Sequence, residues 1–217
     1  MVKISPSLLS ADFSNLSFEI DRIKSHADFI HFDVMDGHFV PNLTFGPMII
    51  QSVRKNTNLP FDVHLMITNP DQYLKTFADS GADILTVHAE TCQTLYRTLH
   101  SIRSLGKKAG LALNPATPLA FAENVLDVID LLLIMTVDPG FGSQPFIQKT
   151  LPKIKKAKEL IKTADHAIEL EVDGGIHPET AAWVREAGAT VLVAGSAVFS
   201  SSDEPRTAIK KLRGDKP

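Results

Sequence analysis

Short runs of apolar residues recur along this chain, each framed by turn-forming residues and each about 20 to 40 residues after the last. Their interiors are nearly continuous apolar segments, which are typical of parallel strands covered on both faces. Amphipathic helical patterns fill the intervals, as where Leu16, Ile20 and Ile23 share one face. The eight runs begin near Lys3, Asp28, Pro60, Asp83, Lys108, Asp130, Ala167 and Thr190.

The alternation of eight strands with helices constrains the fold more than any other feature. We predict a (β/α)8 TIM barrel of the α/β class, built as a single domain over residues 1–217. The alternative is a doubly wound open sheet, but eight strands without a glycine-rich turn after the first argue against it. A content of 44% hydrophobic and 22% charged residues is consistent with one globular domain that has a substantial core.

Charge and hydropathy exclude several kinds of partner. The formal net charge is −3, so we expect no nucleic acid partner. The N-terminus lacks the long apolar segment of a signal peptide, and the run from Leu131 to Met135 is far too short to span a bilayer. The single cysteine, Cys92, cannot form an internal disulfide. We therefore expect a soluble, cytoplasmic protein with no membrane partner.

Four polar side chains stand where apolar strands end. His31 and Asp33 are two residues apart on the second strand, so both point to the same face. His64 ends the third strand and Asp173 ends the seventh. Because the carboxyl ends of barrel strands meet at one rim, we expect the four side chains to converge there. Each also fits a structural role: a hydrogen-bonded pair in the barrel floor, a structural histidine, or a turn aspartate before two glycines.

Two imidazoles and two carboxylates can hold one divalent metal ion. We expect Zn²⁺, and Fe²⁺, Mn²⁺ and Co²⁺ suit the same donors better than Mg²⁺ does. Asp33 and Asp173 can also move protons, and strands two and seven stand on opposite walls of an eight-stranded ring. The combination predicts proton abstraction next to a carbonyl, followed by return of a proton to the other face and inversion at that carbon.

Glycine-rich loops predict a phosphate site. Barrels often bind phosphate with the loops after strands seven and eight, through backbone N–H groups and a helix N-terminus. Gly174-Gly175 and Gly195-Ser196 follow those strands, and the long connection after strand six adds Gly140-Phe141-Gly142-Ser143. The same glycines also fit ordinary tight turns. We expect a small phosphorylated molecule whose phosphate lies opposite the wall formed by His31 and Asp33.

The remaining polar candidates receive other interpretations. His88 ends strand four, where it fits either a pocket wall or a structural turn. Cys92 opens a helix, which would lower its pKa slightly, but no histidine lies nearby and a nucleophile is not expected. Asp36, Asp62 and Glu171 are predicted to serve turns or the outward faces of strands.

Six long motifs follow one another between about residue 3 and about residue 200. They are Ser5-Pro6-Ser7-Leu8-Leu9-Ser10-Ala11-Asp12-Phe13, His31-Phe32-Asp33-Val34-Met35-Asp36-Gly37-His38-Phe39-Val40-Pro41-Asn42, Asp62-Val63-His64-Leu65-Met66, Asn114-Pro115-Ala116-Thr117-Pro118, Met135-Thr136-Val137-Asp138-Pro139-Gly140-Phe141-Gly142 and Glu171-Val172-Asp173-Gly174-Gly175-Ile176. In this unbroken order they resemble the ribulose-phosphate 3-epimerase family.

The resemblance implies metal-dependent interconversion of D-ribulose 5-phosphate and D-xylulose 5-phosphate in the pentose-phosphate pathway. It implies that Asp33 and Asp173 are the acid/base pair, and that His31, Asp33, His64 and Asp173 bind one ion per subunit. It also implies a homo-oligomer, because the family forms dimers and larger assemblies. The implied substrate contacts are Ser7, His64, Met35, Met66, Met135, Gly140, Phe141, Gly142, Ser143, Gly174, Gly175, Gly195 and Ser196.

One residue departs from the family pattern. Family members usually have glycine where Ser143 stands. A serine can still offer its backbone N–H there, unless the position requires a positive φ. This departure concerns the geometry of the lid, by which we mean the segment from Gly140 to Ser143 after strand six, and leaves the predicted catalytic set unchanged.

Three alternatives stay open on the sequence. D-allulose-6-phosphate 3-epimerase shares nearly all these motifs; Ser25-His26-Ala27-Asp28 and Gln144-Pro145-Phe146 favour it, whereas the segment from Asn114 to Leu119 and Asp173-Gly174-Gly175 favour the pentose. A non-catalytic sugar-phosphate-binding barrel would not need both carboxylates and both histidines. An aldolase-like or decarboxylase-like barrel would need a lysine at a strand end, and no lysine is well placed.

Overall fold

The computed structural model describes residues 1–215, so the last two residues of the predicted domain lie outside the described residues. Eight parallel strands form one sheet in the order β1-β8-β7-β6-β5-β4-β3-β2. Their bounds are β1 Lys3–Pro6, β2 Ile30–Met35, β3 Phe61–Met66, β4 Ile84–His88, β5 Lys108–Leu113, β6 Leu131–Met135, β7 Glu169–Asp173 and β8 Val191–Ala194. All eight predicted strands are present.

The two outermost strands of this order, β1 and β2, also meet. The backbone N–H groups of Asp28 and Phe29 donate to the carbonyl of Ile4 at 3.0 and 3.4 Å. Farther along, an isolated parallel bridge joins Ser7 to His31. These contacts bring the sheet round into a nearly closed barrel, which confirms the predicted (β/α)8 fold.

Helices connect successive strands around the outside of the barrel. Pro178 stands at the first position of a helix, whereas Pro70 begins a short 3-10 turn, Pro70–Gln72, before the helix that follows it. The helices are α1 Leu16–Ile23, α2 Pro47–Arg54, α3 Leu74–Asp79, α4 Leu95–Ser104, α5 Ala120–Glu123, α6 Leu151–Ile161, α7 Pro178–Ala187, α8 Ser196–Phe199 and α9 Pro205–Arg213. Within residues 1–215, none of them is long and apolar enough to cross a membrane.

Alternation along each strand sorts the side chains into two compartments. Phe32 belongs to the large apolar core between strands and helices, whereas His31 and Asp33 on either side of it face the barrel interior. A smaller apolar cluster that includes Leu133 and Met135 fills one side of that interior. Polar side chains from β2, β3 and β7 fill the other side, and this division positions the site.

Candidate active site

The four predicted metal ligands converge at the carboxyl ends of β2, β3 and β7. The Asp33 Oδ1 atom lies 3.4 Å from His31 Nε2 and 3.3 Å from His64 Nδ1. The Asp173 Oδ2 atom lies 3.8 Å from the same His64 nitrogen. One ligand atom from each of the four residues lies within 4.8 Å of the others. This buried cluster of two imidazoles and two carboxylates could hold a metal ion.

The orientation of His31 fits a cation at this point. Its Nδ1 atom lies 2.8 Å from the Asp62 carboxylate, so the Nδ1–H donates to that oxygen. Its Nε2 atom faces the cluster and, among the described residues, has no hydrogen-bond partner although it is fully buried. Buried polar atoms in proteins are almost always satisfied, and a metal-bound histidine characteristically donates its other N–H to a carboxylate. The donor set present therefore fits a divalent ion.

The two carboxylates of the cluster differ strongly in acidity. Burial opposes ionisation of Asp33, but the neighbouring His31 and His64 outweigh it and lower the pKa of Asp33. Burial and the nearby charge of Asp33 raise the pKa of Asp173 to about 7. Near neutral pH, one carboxylate is therefore ionised while the other holds a proton for much of the time. Carboxylates whose pKa values are pushed apart are well suited to act as base and acid.

Hydrogen bonds hold the base in place. Ser7 Oγ lies 2.5 Å from Asp33 Oδ2 and donates to it, while its own position is fixed because it caps the 3-10 turn Leu8–Ser10. The side chain of Asp173 is 17% exposed, and that exposed part faces a cleft above the cluster.

Almost all of the residues predicted to contact substrate line this cleft. It encloses about 210 Å³ and lies between Asp33 and Asp173 on one side and the loops after β6, β7 and β8 on the other. His64 does not line it but lies fully buried beneath it. The predicted contacts that line the cleft are Ser7, Met35, Met66, Met135, Gly140, Phe141, Gly142, Ser143, Gly174, Gly175, Gly195 and Ser196.

Three methionines form an apolar wall of the cleft. Met35, Met66 and Met135 are each at most 6% exposed and end the strands β2, β3 and β6. Their thioethers are soft and polarisable, and they keep water away from the carboxylates without offering a competing charge. Periodicity alone predicts these residues as ordinary core packing, so their role depends on the depth of the cleft.

The loop after β6 carries a conformational exception. Ser143 has φ of 57°, and it is the one non-glycine residue in the range 1–215 with a positive φ. This backbone conformation is left-handed and favours glycine, so the position does require a positive φ, which serine adopts at some cost. Two side chains hold the loop: Gln144 Nε2 donates to the carbonyls of Asp138 and Phe141, and Asn42 Nδ2 donates to that of Gly140 at 2.9 Å.

The glycines of the loops after β7 and β8 are required by close approach. Gly175 has φ of 65°, and a Cβ there would lie 2.6 Å from the backbone nitrogen of Phe146. A Cβ on Gly195 would lie 2.5 Å from Ser10 Oγ. Both loops thus pass close to their neighbours, and their backbones line the cleft.

The structure overturns several sequence predictions for polar residues. Asp62 and Glu171 do not serve turns or outward faces: both are fully buried and face the interior beside His31. Asp36 does serve a turn, accepting from the N–H groups of its own loop. Cys92 does not open α4, and burial raises the pKa of its thiol to about 12 instead of lowering it.

A signal for two of these errors was present in the sequence. Asp62 stands two residues before His64, and Glu171 stands two residues before Asp173, so strand alternation places each pair on the same face. His88 does not line the cleft, but it does serve a turn, since it caps the 3-10 turn Ala89–Thr91 that follows β4. It is fully buried and stacks on His64, with ring centroids 4.9 Å apart.

Comparison with known proteins identifies the family. The model of the ribulose-phosphate 3 epimerase family matches residues 3–199. The chain belongs to the ribulose-phosphate 3-epimerase family. Ribulose-phosphate 3-epimerase of Bacillus subtilis (strain 168) is 55% identical over 218 residues, which cover 100% of both chains. The protein of the same name from Escherichia coli (strain K12) is 46% identical and covers 98% of this chain and 95% of its own.

Solved structures agree on the fold. The crystal structure of KGPDC from Streptococcus mutans superimposes with a TM-score of 0.74, covering 99% of this chain and 96% of that one. Its sequence identity is 16%, so this likeness concerns the barrel alone. The resemblance predicted from the six motifs is therefore confirmed by the family match and by relatives that cover the chain from end to end.

Proposed function

We propose that the protein is a 3-epimerase that interconverts D-ribulose 5-phosphate and D-xylulose 5-phosphate. The observation that carries the proposal is the pair of carboxylates, Asp33 and Asp173, which reach one cleft from the non-adjacent strands β2 and β7 with their pKa values displaced in opposite directions. The family relatives named as ribulose-phosphate 3-epimerases support the same reaction.

The acid/base roles follow from the protonation of the two carboxylates. Asp33 is ionised, oriented by Ser7, and suited to remove the proton from C3 of the ketose. Asp173, which retains a proton near neutral pH in the metal-free protein, is suited to deliver a proton to the opposite face of C3. The reverse reaction exchanges these roles. The buried methionine wall limits the access of water during proton transfer, and between turnovers the carboxylates exchange protons with solvent through the exposed part of Asp173.

We assign Zn²⁺ to the cluster of His31, Asp33, His64 and Asp173. Imidazole nitrogen together with carboxylate oxygen is a donor set that zinc accepts readily, and Fe²⁺, Mn²⁺ or Co²⁺ would accept it too. When bound, such an ion would supply positive charge beside the ketose oxygens on which the negative charge of an enediolate develops.

The glycine loops provide the proposed phosphate end of the cleft. Gly175, Gly195 and the lid segment from Gly140 to Ser143 all line the cavity. Because a Cβ on Gly175 or Gly195 would collide with neighbouring atoms, these loops approach more closely than side-chain-bearing residues would allow. Backbone N–H groups are common phosphate donors in this part of a barrel.

Several sequence predictions stay predictions. They are the single domain over 1–217, the cytoplasmic location and the homo-oligomer. Leu43 and Met48 are 73% and 83% exposed, as expected of side chains that a second copy would cover. Light scattering coupled to size-exclusion chromatography would measure the mass of the assembly, and a mass of 23.7 kDa would contradict the oligomer.

The substrate is tested by comparing kcat/KM for D-ribulose 5-phosphate and D-allulose 6-phosphate on one enzyme preparation. The sugars differ by one carbon, and Ser143 is among the residues that line the cleft that holds the sugar in this proposal. We expect kcat/KM to be at least about tenfold higher for the pentose, which corresponds to about 1.4 kcal/mol. A preference for the hexose would assign the protein to the allulose enzyme, and binding without turnover of either sugar would indicate a non-catalytic barrel.

A further inference from the structure

His88 contacts the side of His64 that faces away from the carboxylate cluster. The two Nε2 atoms are 2.8 Å apart, and the rings are stacked at an interplanar angle of 23°. Both side chains are fully buried, and Phe39 covers the His88 ring at 4.8 Å between centroids. Two imidazole nitrogens at this distance share one hydrogen, so one ring must donate and the other must accept.

Glu90 decides the direction of that hydrogen bond. Its Oε2 atom lies 3.1 Å from His88 Nδ1, and its Oε1 atom accepts from the backbone N–H of Asn114 at 2.9 Å and from the hydroxyl of Thr117. Burial opposes ionisation of Glu90, but the hydrogen bonds from His88, Thr117 and Asn114 lower its pKa to about 2. An ionised carboxylate only accepts, so His88 carries its hydrogen on Nδ1.

The state of His64 follows from that of His88. With its hydrogen on Nδ1, the neutral His88 ring presents a lone pair at Nε2, and His64 must donate to it from its own Nε2. His64 Nδ1 is then left without a hydrogen, and this is the atom that lies 3.3 Å from Asp33 and 3.8 Å from Asp173. The opposite tautomer of His64 would donate from Nδ1 to Asp33 Oδ1 over the longer distance of 3.3 Å, and it would leave two lone pairs facing each other across the 2.8 Å between the Nε2 atoms.

His31, the other imidazole of the cluster, is oriented by a carboxylate directly, without an intervening histidine. His31 donates from Nδ1 directly to the Asp62 carboxylate, which leaves Nε2 to face Asp33 and the cluster. Each imidazole thus has a carboxylate behind it: Asp62 directly behind His31, and Glu90 behind His64 through His88. Groups that orient a metal ligand in this way typically contribute about 10- to 100-fold to metal affinity.

We propose that His88 and Glu90 are positioning residues that fix His64 as the Nε2–H tautomer and direct its Nδ1 lone pair into the Asp33–Asp173 cluster. Their effect is to raise the affinity of the cluster for a divalent cation. The inference rests on the cation assigned to this cluster under the proposed function. The two positioning residues are His88, which ends strand β4, and Glu90 in the loop after it, and neither lines the substrate cleft.

The test uses zinc itself, added to the metal-free protein in competition with a chromogenic chelator. His88→Leu removes both hydrogen bonds of the ring, and we expect it to weaken zinc binding by about 10- to 100-fold. His88→Gln supplies a carbonyl that can accept from His64 and an amide that can donate to Glu90, so it should retain zinc affinity within about threefold of wild type. Thr91→Val is the matched control, because Thr91 donates to the backbone carbonyl of His88 and not to the ring.

A second readout does not depend on metal or turnover. Nitrogen-15 NMR of the metal-free protein should report the Nε2–H tautomer of His64 in wild type and Thr91→Val, and a mixture of tautomers in His88→Leu. Unchanged zinc affinity in His88→Leu, or equal weakening in His88→Leu and His88→Gln, would overturn the positioning role. Failure of the wild-type protein to bind zinc would instead overturn the metal assignment itself, whereas epimerase turnover is measured separately on both sugars.

Discussion

Replacing Asp173 by asparagine should stabilise the metal-free protein at alkaline pH. In the folded chain, burial and the charge of Asp33 raise the pKa of Asp173 from 3.8 to about 7. The folded protein therefore holds a proton between pH 4 and pH 7 that the unfolded chain has already released. Because the folded-state pKa is raised, the associated stability is present below pH 4 and is lost as the pH rises through 7.

The size of the effect follows from the same two values. A pKa difference is worth about 1.36 kcal/mol for each pH unit, so the rise to about 7 corresponds to roughly 4 kcal/mol at pH 8. Since the side chain is 17% exposed, water reduces this cost. We expect Asp173→Asn to raise the free energy of unfolding by roughly 2 to 4 kcal/mol at pH 8 and to change it little at pH 4.

Urea denaturation of chelator-treated wild type and Asp173→Asn at pH 4, 6 and 8 measures this difference. Asp36→Asn is a control in which the pKa is shifted in the opposite direction. Burial opposes ionisation of Asp36, but hydrogen bonds from Thr68, His38 and Phe39 outweigh it and lower the pKa of Asp36. This second variant should not be stabilised at any pH. Equal unfolding free energies for wild type and Asp173→Asn at pH 8 would refute the electrostatic account of the cluster.

Three further predictions concern the lid, the phosphate loop and the metal. Ser143→Gly should keep or raise kcat/KM. Ser143→Val should lower kcat/KM at least about tenfold, because a β-branched residue is strained at φ of 57°. Equal activity of both variants would contradict this. Gly175→Ala should raise KM at least about tenfold, because its Cβ would lie 2.6 Å from the backbone nitrogen of Phe146. The circular dichroism spectrum should stay that of wild type. An unchanged KM would remove the loop from the phosphate site. Exhaustive chelation should abolish turnover and zinc should restore it, and full activity in a verified metal-free sample would exclude the metal from the reaction.

The fold could be predicted because its determinants are periodic. Eight apolar strands separated by amphipathic helices leave few architectures, and the polar residues at strand ends then fall at one rim. The pairing of His31 with Asp33 followed from alternation on a single strand. Bringing His64 and Asp173 to the same point required only the order of the strands, and the observed sheet has that order.

Several contacts and backbone conformations of this site could not be predicted in the same way. The contact between His88 and His64 depends on the register of β3 against β4, which no local pattern in the sequence encodes. The left-handed backbone of Ser143 depends on how the lid crosses the barrel, since serine itself does not favour it. For Asp62 and Glu171 the alternation was available, but charged residues are seldom expected inside a barrel, and the outward interpretation was therefore wrong.

Exchange of the substrate C3 proton with deuterated water tests the central claim most directly. Proton NMR follows loss of the C3 signal of D-ribulose 5-phosphate in the presence of wild type, Asp33→Asn or Asp173→Asn, each checked for folding. We predict rapid exchange with wild type, a loss of at least about 100-fold in both exchange and turnover with Asp33→Asn, and the same loss of turnover with Asp173→Asn. Substantial epimerisation by Asp33→Asn or by Asp173→Asn would contradict a reaction in which one carboxylate serves each face of the sugar.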